Sequence, residues 1–235
     1  MPSQNESSDN QGMATFVFVL ALLALPPQDG CTPQFAPLNT GSSSGASSLP
    51  FWRKEDAGAW GGSGWLGWTW MSNALVPLTL VVRDHRSDGP SEPEVTVEKT
   101  SDVTFAVRCV RGLQAGTIRS ADVVNHRLTS DGPLRVALGT RRYEIQLRST
   151  RADLSDATVI LSDGRQTQEL YSADGLVDDP HFDVEWAGDL DRDGRLDLVV
   201  NLSRKYSVHP HRLLLSSRAV KNQLVGEAAV FESGD

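Results

Sequence analysis

The sequence predicts an all-β fold, an antiparallel sandwich or barrel with one short helix and a metal loop between two strands. From about Leu75 onward, short runs alternate apolar with polar residues, which is the period of a half-buried strand. Turn sequences separate the runs: SDGP at two places, SDGR and SADG, whose Asp and Gly residues favour tight bends. Helical patterning is nearly absent, and the best candidate for the short helix is GLQAGTIRSADVVNHRL, residues 112–128.

Eleven runs have strand character, and most of them alternate in the same way. They are, in chain order, ALVPLTLVV (74–82), EVTVEK (94–99), VTFAVRCV (103–110), LRVALG (134–139), RYEIQLRS (142–149), ATVILS (157–162), RQTQELYS (165–172), HFDVEWAG (181–188), RLDLVVNLS (195–203), HRLLLSS (211–217) and VGEAAVFE (225–232). Strands that follow one another through short turns favour sequential antiparallel hairpins. We assign them to a β domain over residues 75–235.

Residues 1–27 have the length and composition of an export signal. The apolar run MATFVFVLALLALPP is shorter than the ~20 residues of a membrane-spanning helix, but it fits the hydrophobic core of a signal peptide. Its proline pair would end a helix there, whereas a basic segment before it is missing and Met13 offers a second start. We favour an exported protein, located in the periplasm, cell envelope or outside the cell, over a buried core helix. No transmembrane helix is expected in the mature chain.

Residues 28–74 are predicted to lie outside the β domain. Residues 28–50 are rich in Ser, Gly, Pro and Thr, a composition typical of a disordered linker. The tryptophans that follow, interleaved with glycines, favour an irregular flap whose rings cover the core; a carbohydrate or membrane-interface platform is the alternative. These tryptophans are Trp60, Trp65, Trp68 and Trp70.

The two cysteines leave three alternatives open. Cys31 follows an apolar run and precedes a flexible segment, which is the order found in lipoproteins, so it is a candidate lipid anchor. In an oxidising compartment Cys31 and Cys109 can instead form a disulfide. Two free thiols are the third alternative.

The stretch GDLDRDGRLDLVV, residues 188–200, has the composition of a calcium loop. Its aspartates alternate at positions one, three and five, a glycine at position six allows a sharp backbone bend, and position nine is a fourth carboxylate. Hard oxygen ligands in this number suit Ca²⁺ better than Zn²⁺ or a redox metal. The predicted ligands are Asp189, Asp191, Asp193, the backbone carbonyl of Arg195, and Asp197.

The flanking residues decide which kind of loop this is. Position twelve is Val200 rather than the glutamate of an EF-hand, and both flanks are strands rather than helices. Residues 182–200, FDVEWAGDLDRDGRLDLVV, resemble a single FG-GAP repeat of the integrin α and VCBS type. The resemblance implies Ca²⁺ bound by Asp189, Asp191, Asp193, the Arg195 carbonyl and Asp197. A single copy does not imply a propeller, and the context also resembles uncharacterised secreted bacterial proteins.

Other motifs carry weaker signals. The acidic segment VDDPHFDVE, 177–185, contains enough carboxylates for a glycosidase pair, although Asp178 and Asp179 before a proline favour a turn. His209 and His211 share one face of an extended strand and can bind zinc as a pair, but the sequence shows no third ligand. No catalytic triad or nucleotide fingerprint is evident.

The net charge excludes one class of binding partner. A net charge of -8 with scattered basic residues excludes a nucleic-acid partner. We expect an exported β-rich module with one structural Ca²⁺ site and a non-catalytic binding or envelope-associated role, whose partner is an unidentified protein or glycan. The alternative is a secreted, calcium-stabilised hydrolase that acts on carbohydrate or ester, using acids from residues 178–185.

Overall fold

A computed structural model describes residues 30–38, 48–50, 57–85, 92–98, 102–173, 177–205 and 207–234. Within these residues the protein is mostly β, its antiparallel sheets curl into a sandwich, and no helix reaches seven residues, so the predicted fold class is confirmed. None of the helices in this part of the chain has the length and hydropathy to cross a membrane. The predicted signal segment, 1–27, lies outside the described residues, and so do residues 28–29, 39–47 and 51–56 of the predicted linker and flap.

The strands of the described ranges are numbered in chain order. They are β1 (Gln34–Pro37), β2 (Ser48–Pro50), β3 (Gly62–Thr69), β4 (Ala74–His85), β5 (Glu92–Val97), β6 (Val103–Arg108), β7 (Gly116–Thr117), β8 (Arg119–Arg127), β9 (Leu134–Leu138), β10 (Arg141–Arg148), β11 (Thr158–Ser162), β12 (Thr167–Ser172), β13 (His181–Asp189), β14 (Asp197–Ser203), β15 (Val208–Leu215) and β16 (Gly226–Gly234). A 3-10 turn, Ser216–Arg218, follows β15. All eleven predicted runs coincide with strands, namely β4–β6 and β9–β16.

The described strands form three antiparallel sheets. The large sheet has the order β1-β6-β3-β4-β5-β2, with β7 paired to β4. The small sheet has the order β12-β11-β10-β9, and the central sheet has the order β16-β15-β14-β13-β8. Most neighbours in the small and central sheets are also neighbours in sequence, as expected for consecutive hairpins.

Both faces of the central sheet pack against another sheet around its middle strand, β14. One face, with Trp186, Val199 and Leu213, packs against the large sheet in a first core. The opposite face, with Leu198 and Leu214, packs against the small sheet in a second core. All seven residues of β14 are consequently buried, including its polar ones.

The predicted irregular flap is wrong, because residues 62–69 form the regular strand β3 between β6 and β4. Trp65 and Trp68 are only 1% and 2% exposed, so the prediction that rings of this segment cover the core is right for them. A side chain at Gly67 would place its Cβ 2.1 Å from Leu78 Cδ2, so this glycine permits close packing rather than disorder. The large sheet thus uses β1, β2 and β3, which all precede the predicted domain start at Leu75. The prediction of a disordered linker over residues 28–50 is therefore wrong for residues 34–37 and 48–50, which pair with β6 and β5.

The predicted short helix at 112–128 is also wrong. The segment contains β7 and β8, and β8 pairs antiparallel with β13. Ala121 and Val123 are buried on either side of the exposed Asp122, which is strand alternation. Pairing with the central sheet decides the conformation of a segment whose local sequence was ambiguous.

The two cysteines form a disulfide, with their Cα atoms 5.7 Å apart. Cys31 lies just before β1 and Cys109 follows the end of β6, and these two strands pair with each other. A sulfur in a disulfide cannot carry a lipid, so this bond decides among the three alternatives and contradicts a lipid anchor at Cys31.

Candidate metal centre

The acidic loop joins β13 to β14, two adjacent antiparallel strands of the central sheet. Gly188 and Asp197 face each other across the last pair of the ladder, so residues 189–196 curl back over a short distance. Gly194 has a φ of +78°, a left-handed conformation that glycine adopts without strain. The expected loop between two strands, with its bend at the glycine, is therefore present.

The curl brings together three of the predicted ligands. Asp189, Asp191 and Asp197 each offer a carboxylate oxygen, and these atoms all lie within 4.8 Å of one another. Asp189 and Asp197 are buried, and Asp191 is half-buried. Three carboxylates so close repel one another unless a cation or protons offset their charge. This group can hold a metal ion.

Asp197 is the buried centre of the loop. Its Oδ2 accepts hydrogen bonds from the backbone N–H groups of Leu190, at 2.7 Å, and Asp191, at 3.3 Å. Its Oδ1 accepts one from the backbone N–H of Ser216, at 2.7 Å. Burial raises the pKa of Asp197 to about 7, and the neighbouring Asp191 adds to the rise, while the backbone donors oppose it. Asp197 thus ties the loop to the turn after β15.

Two buried carboxylate oxygens have no hydrogen-bond partner among the described residues. They are Asp189 Oδ1 and Asp191 Oδ2, whereas Asp189 Oδ2 accepts from the Gly194 backbone N–H at 3.1 Å. Burial raises the pKa of Asp189, and the charges of Asp193 and Asp191 raise it further. An unpaired buried carboxylate oxygen costs free energy that a bound cation removes. The residues present fit a hard divalent cation.

Asp193 lies beside this group but has partners of its own. Its Oδ2 accepts from Arg195 Nη2, at 2.7 Å, and from Ser216 Oγ, at 2.8 Å. Burial alone would raise the pKa of Asp193, but the hydrogen bonds from Arg195 and Ser216 outweigh it and lower the pKa. The structure does not bring Asp193 into the close group, and metal binding by Asp193 and by the Arg195 carbonyl stays a prediction.

Two contacts that hold the loop were not predicted from the sequence. One is Ser216, whose backbone N–H donates to Asp197 and whose hydroxyl donates to Asp193. The other is Arg192, left-handed at φ +66°, which donates from Nε to the carbonyl of Thr117 and from Nη2 to that of Gln114, both at 3.0 Å. The sequence carried no signal for either, because the partners are 19 to 78 residues away. An open cavity of about 350 Å³ adjoins the loop, lined by Thr117, Ile118, Arg119, Asp189 and Arg192.

The remaining sequence candidates lie along the same sheet. Asp178 forms an isolated parallel bridge with Lys205, and its backbone N–H donates to the carbonyl of Arg204, while Asp179 bends the chain with a left-handed φ of +49°. Glu185 contacts a histidine, His211, with 2.8 Å between Glu185 Oε1 and His211 Nδ1. The structure therefore pairs Glu185 with an imidazole rather than with a second carboxylate.

No protein-family model matches this chain, and no curated protein or solved structure matches it either. The resemblance to an FG-GAP repeat rests on the motif in residues 182–200 and stays a prediction.

Proposed function

We propose that this protein is an exported β-rich module with one structural Ca²⁺ site of the FG-GAP type, and that it has a non-catalytic binding or envelope-associated role. One observation carries the proposal: the unpartnered, buried oxygens of Asp189 and Asp191 lie together with a carboxylate oxygen of Asp197. The bound ion neutralises these carboxylates and fixes the hairpin of β13 and β14. The partner is a protein or glycan that this rigid module presents or binds.

The donor set favours calcium over other divalent ions. All three clustered side chains are carboxylates, and the remaining positions of an open loop are filled by carbonyl oxygens or water. Ca²⁺ accepts six to eight such oxygens in flexible geometry, whereas Mg²⁺ demands a tight octahedron and Zn²⁺ prefers nitrogen and sulfur. A site with a Kd of about 10⁻⁴ to 10⁻³ M, as in extracellular modules, is filled by exterior calcium.

Two features support export. The apolar segment within residues 1–27 has the length of a signal sequence, and the Cys31–Cys109 disulfide is of a kind that persists in oxidising compartments. N-terminal sequencing of the mature protein from cells tests this part. We expect a terminus after residue 27, and an intact Met1 or Met13 contradicts export.

Calorimetric titration of the full chain with Ca²⁺ tests the metal site. We expect one calcium ion per chain, with Mg²⁺ competing poorly. Asp191→Ala should abolish binding, since Asp191 supplies one of the two unpartnered oxygens. Asp153→Ala is the matched control, because Asp153 lies in a different acidic loop. Absence of binding at millimolar calcium overturns the proposal.

A screen on glycoside and ester substrates tests the non-catalytic role. We expect no turnover above that of the buffer. Hydrolysis that is lost in Glu185→Ala would show that the protein is instead a calcium-stabilised hydrolase.

A further inference from the structure

A second polar cluster lies on the central sheet, separate from the aspartate loop. Two segments that are apart in sequence supply it: β13 carries His181 with two carboxylates, and β15 carries two more histidines. Strand β14 lies between them, and its Asn201 pairs with Asp183 on one side and with His211 on the other. We call His181, Asp183, Glu185, Asn201, His209 and His211 the histidine cluster.

The three imidazole rings are consecutive neighbours. The ring centroids of His181 and His209 are 5.6 Å apart, and those of His209 and His211 are 6.3 Å apart. The side chains of His181 and His211 are 26% and 16% exposed, so the cluster is open to solvent on one side. The ring of Phe231, with its centroid 6.3 Å from that of His211, closes the other side.

Each ring contacts the protein through Nδ1. His211 Nδ1 lies 2.8 Å from Oε1 and 3.0 Å from Oε2 of Glu185, so this carboxylate accepts the Nδ1 proton. No residue in the described part of the chain hydrogen-bonds to Nε2 of any of the three rings. A histidine whose Nδ1–H donates to a carboxylate while Nε2 is open has the orientation of a metal ligand.

Asn201 is a buried amide beside His209, and its orientation bears on the tautomer of that ring. Its side chain is 6% exposed, and its Oδ1 is buried without a hydrogen-bond partner among the described residues. Its Nδ2 lies 3.5 Å from His209 Nδ1. Turning the amide over places Oδ1 against His209 Nδ1, where it accepts a proton from that nitrogen and leaves Nε2 deprotonated. Asn201 can thus set His209 in the tautomer that binds a metal.

Two side chains lie near Nδ1 of His181. Its Nδ1 lies 3.1 Å from Arg127 Nη1 and 4.0 Å from Asp183 Oδ2. Arg127 also donates from Nη2 to the carbonyl of Pro180, at 2.7 Å, so it keeps a partner if the ring turns toward Asp183. Asp183 then accepts the Nδ1 proton and frees Nε2.

We propose that the histidine cluster binds a transition-metal ion of the Zn²⁺ class through Nε2 of His181, His209 and His211. Glu185, Asn201 and Asp183 orient the three rings, and water occupies the fourth position. Two imidazoles on one tetrahedral zinc have centroids about 5 Å apart, so the two separations along the row, 5.6 and 6.3 Å, must close by about 1 Å. His181 and His211, at the two ends of the row, must also turn toward each other through side-chain rotation. Nitrogen ligands select a different class of ion from the carboxylates of the aspartate loop.

Titration of the full chain with Zn²⁺, in saturating Ca²⁺ at neutral pH, tests the proposal. We expect one zinc ion per chain, and Co²⁺ in its place should give the visible absorption of a tetrahedral site. His209→Gln and His211→Gln should each weaken zinc binding at least about tenfold, and Glu185→Gln should weaken it about 10- to 100-fold.

Two variants serve as controls. His126→Gln removes an exposed histidine of β8 whose register partner, Val184, faces the second core, so zinc binding should not change. Asp191→Ala should lose calcium binding and keep zinc binding, which separates the two sites. The proposal is overturned if micromolar zinc does not bind, if His211→Gln binds zinc as the wild type does, or if Asp191→Ala loses zinc binding. Melting curves without metal show that each variant is folded.

Discussion

Two acidic loops among the described residues differ in how the hydrogen-bonding capacity of their carboxylates is satisfied. Residues 149–157 join β10 to β11 and contain Asp153 and Asp156; residues 189–197 run from the end of β13 to the start of β14. In the first loop, Asp156 accepts hydrogen bonds from both the hydroxyl and the backbone N–H of Thr150 and from the hydroxyl of Ser149. Those hydroxyl donors lower the pKa of Asp156 to about 2.

The second loop has fewer protein hydrogen-bond donors per carboxylate. Asp153 of the first loop pairs with Arg151 and Ser155, whereas Asp189 and Asp191 each leave one buried oxygen without a partner. Burial accordingly raises the pKa of Asp189. The number of aspartates in a loop does not by itself indicate a metal site. Whether a loop needs a cation depends on how many hydrogen bonds its carboxylates accept from the protein.

The largest difference in stability should be between a variant without Asp197, in the second loop, and a variant without Asp156, in the first. Asp197→Ala leaves three backbone N–H groups without an acceptor, and the two buried ones cost about 1–3 kcal/mol each, so we expect a loss of at least about 2 kcal/mol in the free energy of unfolding. Asp156→Ala should lower the free energy of unfolding much less, because water takes over the hydrogen bonds that Asp156 accepts in its solvent-accessible loop. Urea unfolding of both variants in calcium-free buffer measures this. Equal losses would show that burial does not distinguish the loops.

Calcium should stabilise the protein through the second loop alone. At free calcium tenfold above Kd, the free energy of unfolding should rise by about 1.4 kcal/mol. The melting temperature should then rise by roughly 3–5 °C. Asp191→Ala should lose this shift, and Asp153→Ala should keep it. A calcium shift retained in Asp191→Ala would place the ion elsewhere.

The loops should respond to pH in opposite directions. Folding raises the pKa of Asp197 from 3.8 to about 7, so without calcium its contribution to stability is full below pH 3.8 and is lost as the pH rises to about 7. Folding lowers the pKa of Asp156 from 3.8 to about 2, so its contribution is present above pH 3.8 and is lost as the pH falls. Urea unfolding across this range, with Asp197→Asn and Asp156→Asn, measures each slope. Saturating calcium should remove the loss of stability above pH 3.8. If the dependence of stability on pH is the same in Asp197→Asn as in the wild type, the loss does not come from Asp197.

The smallest effect should come from Arg195→Ala. The side chain of Arg195 is 45% exposed and pairs with Asp193, and partly exposed ion pairs contribute about 0–1 kcal/mol. The substitution preserves the backbone carbonyl that we predict to bind calcium. The calcium-dependent shift in melting temperature should therefore persist, and its loss would mean that the guanidinium orders the ligands.

Local patterns predicted much of the fold and part of the site. The alternation of the eleven runs and the spacing of Asp189, Asp191 and Asp197 are visible within short windows of sequence. Strand β3 was missed because the role of Gly67 depends on Leu78 in a neighbouring strand. Ser216 as a donor to Asp193, and His181 as a third histidine beside the predicted pair His209 and His211, were missed for the same reason: each reaches its partners only through the pairing of strands that are distant in sequence.

The position of the central sheet between two cores has a consequence for the cooperativity of unfolding. Each of the two cores needs the same strands for one of its walls, so neither core can unfold while the other stays intact. We expect one unfolding transition for the described strands, and the amide protons of β14 should exchange with solvent only through global unfolding. A ligand that binds the loop between β13 and β14 then protects strands on both sides of the molecule, including those it never touches.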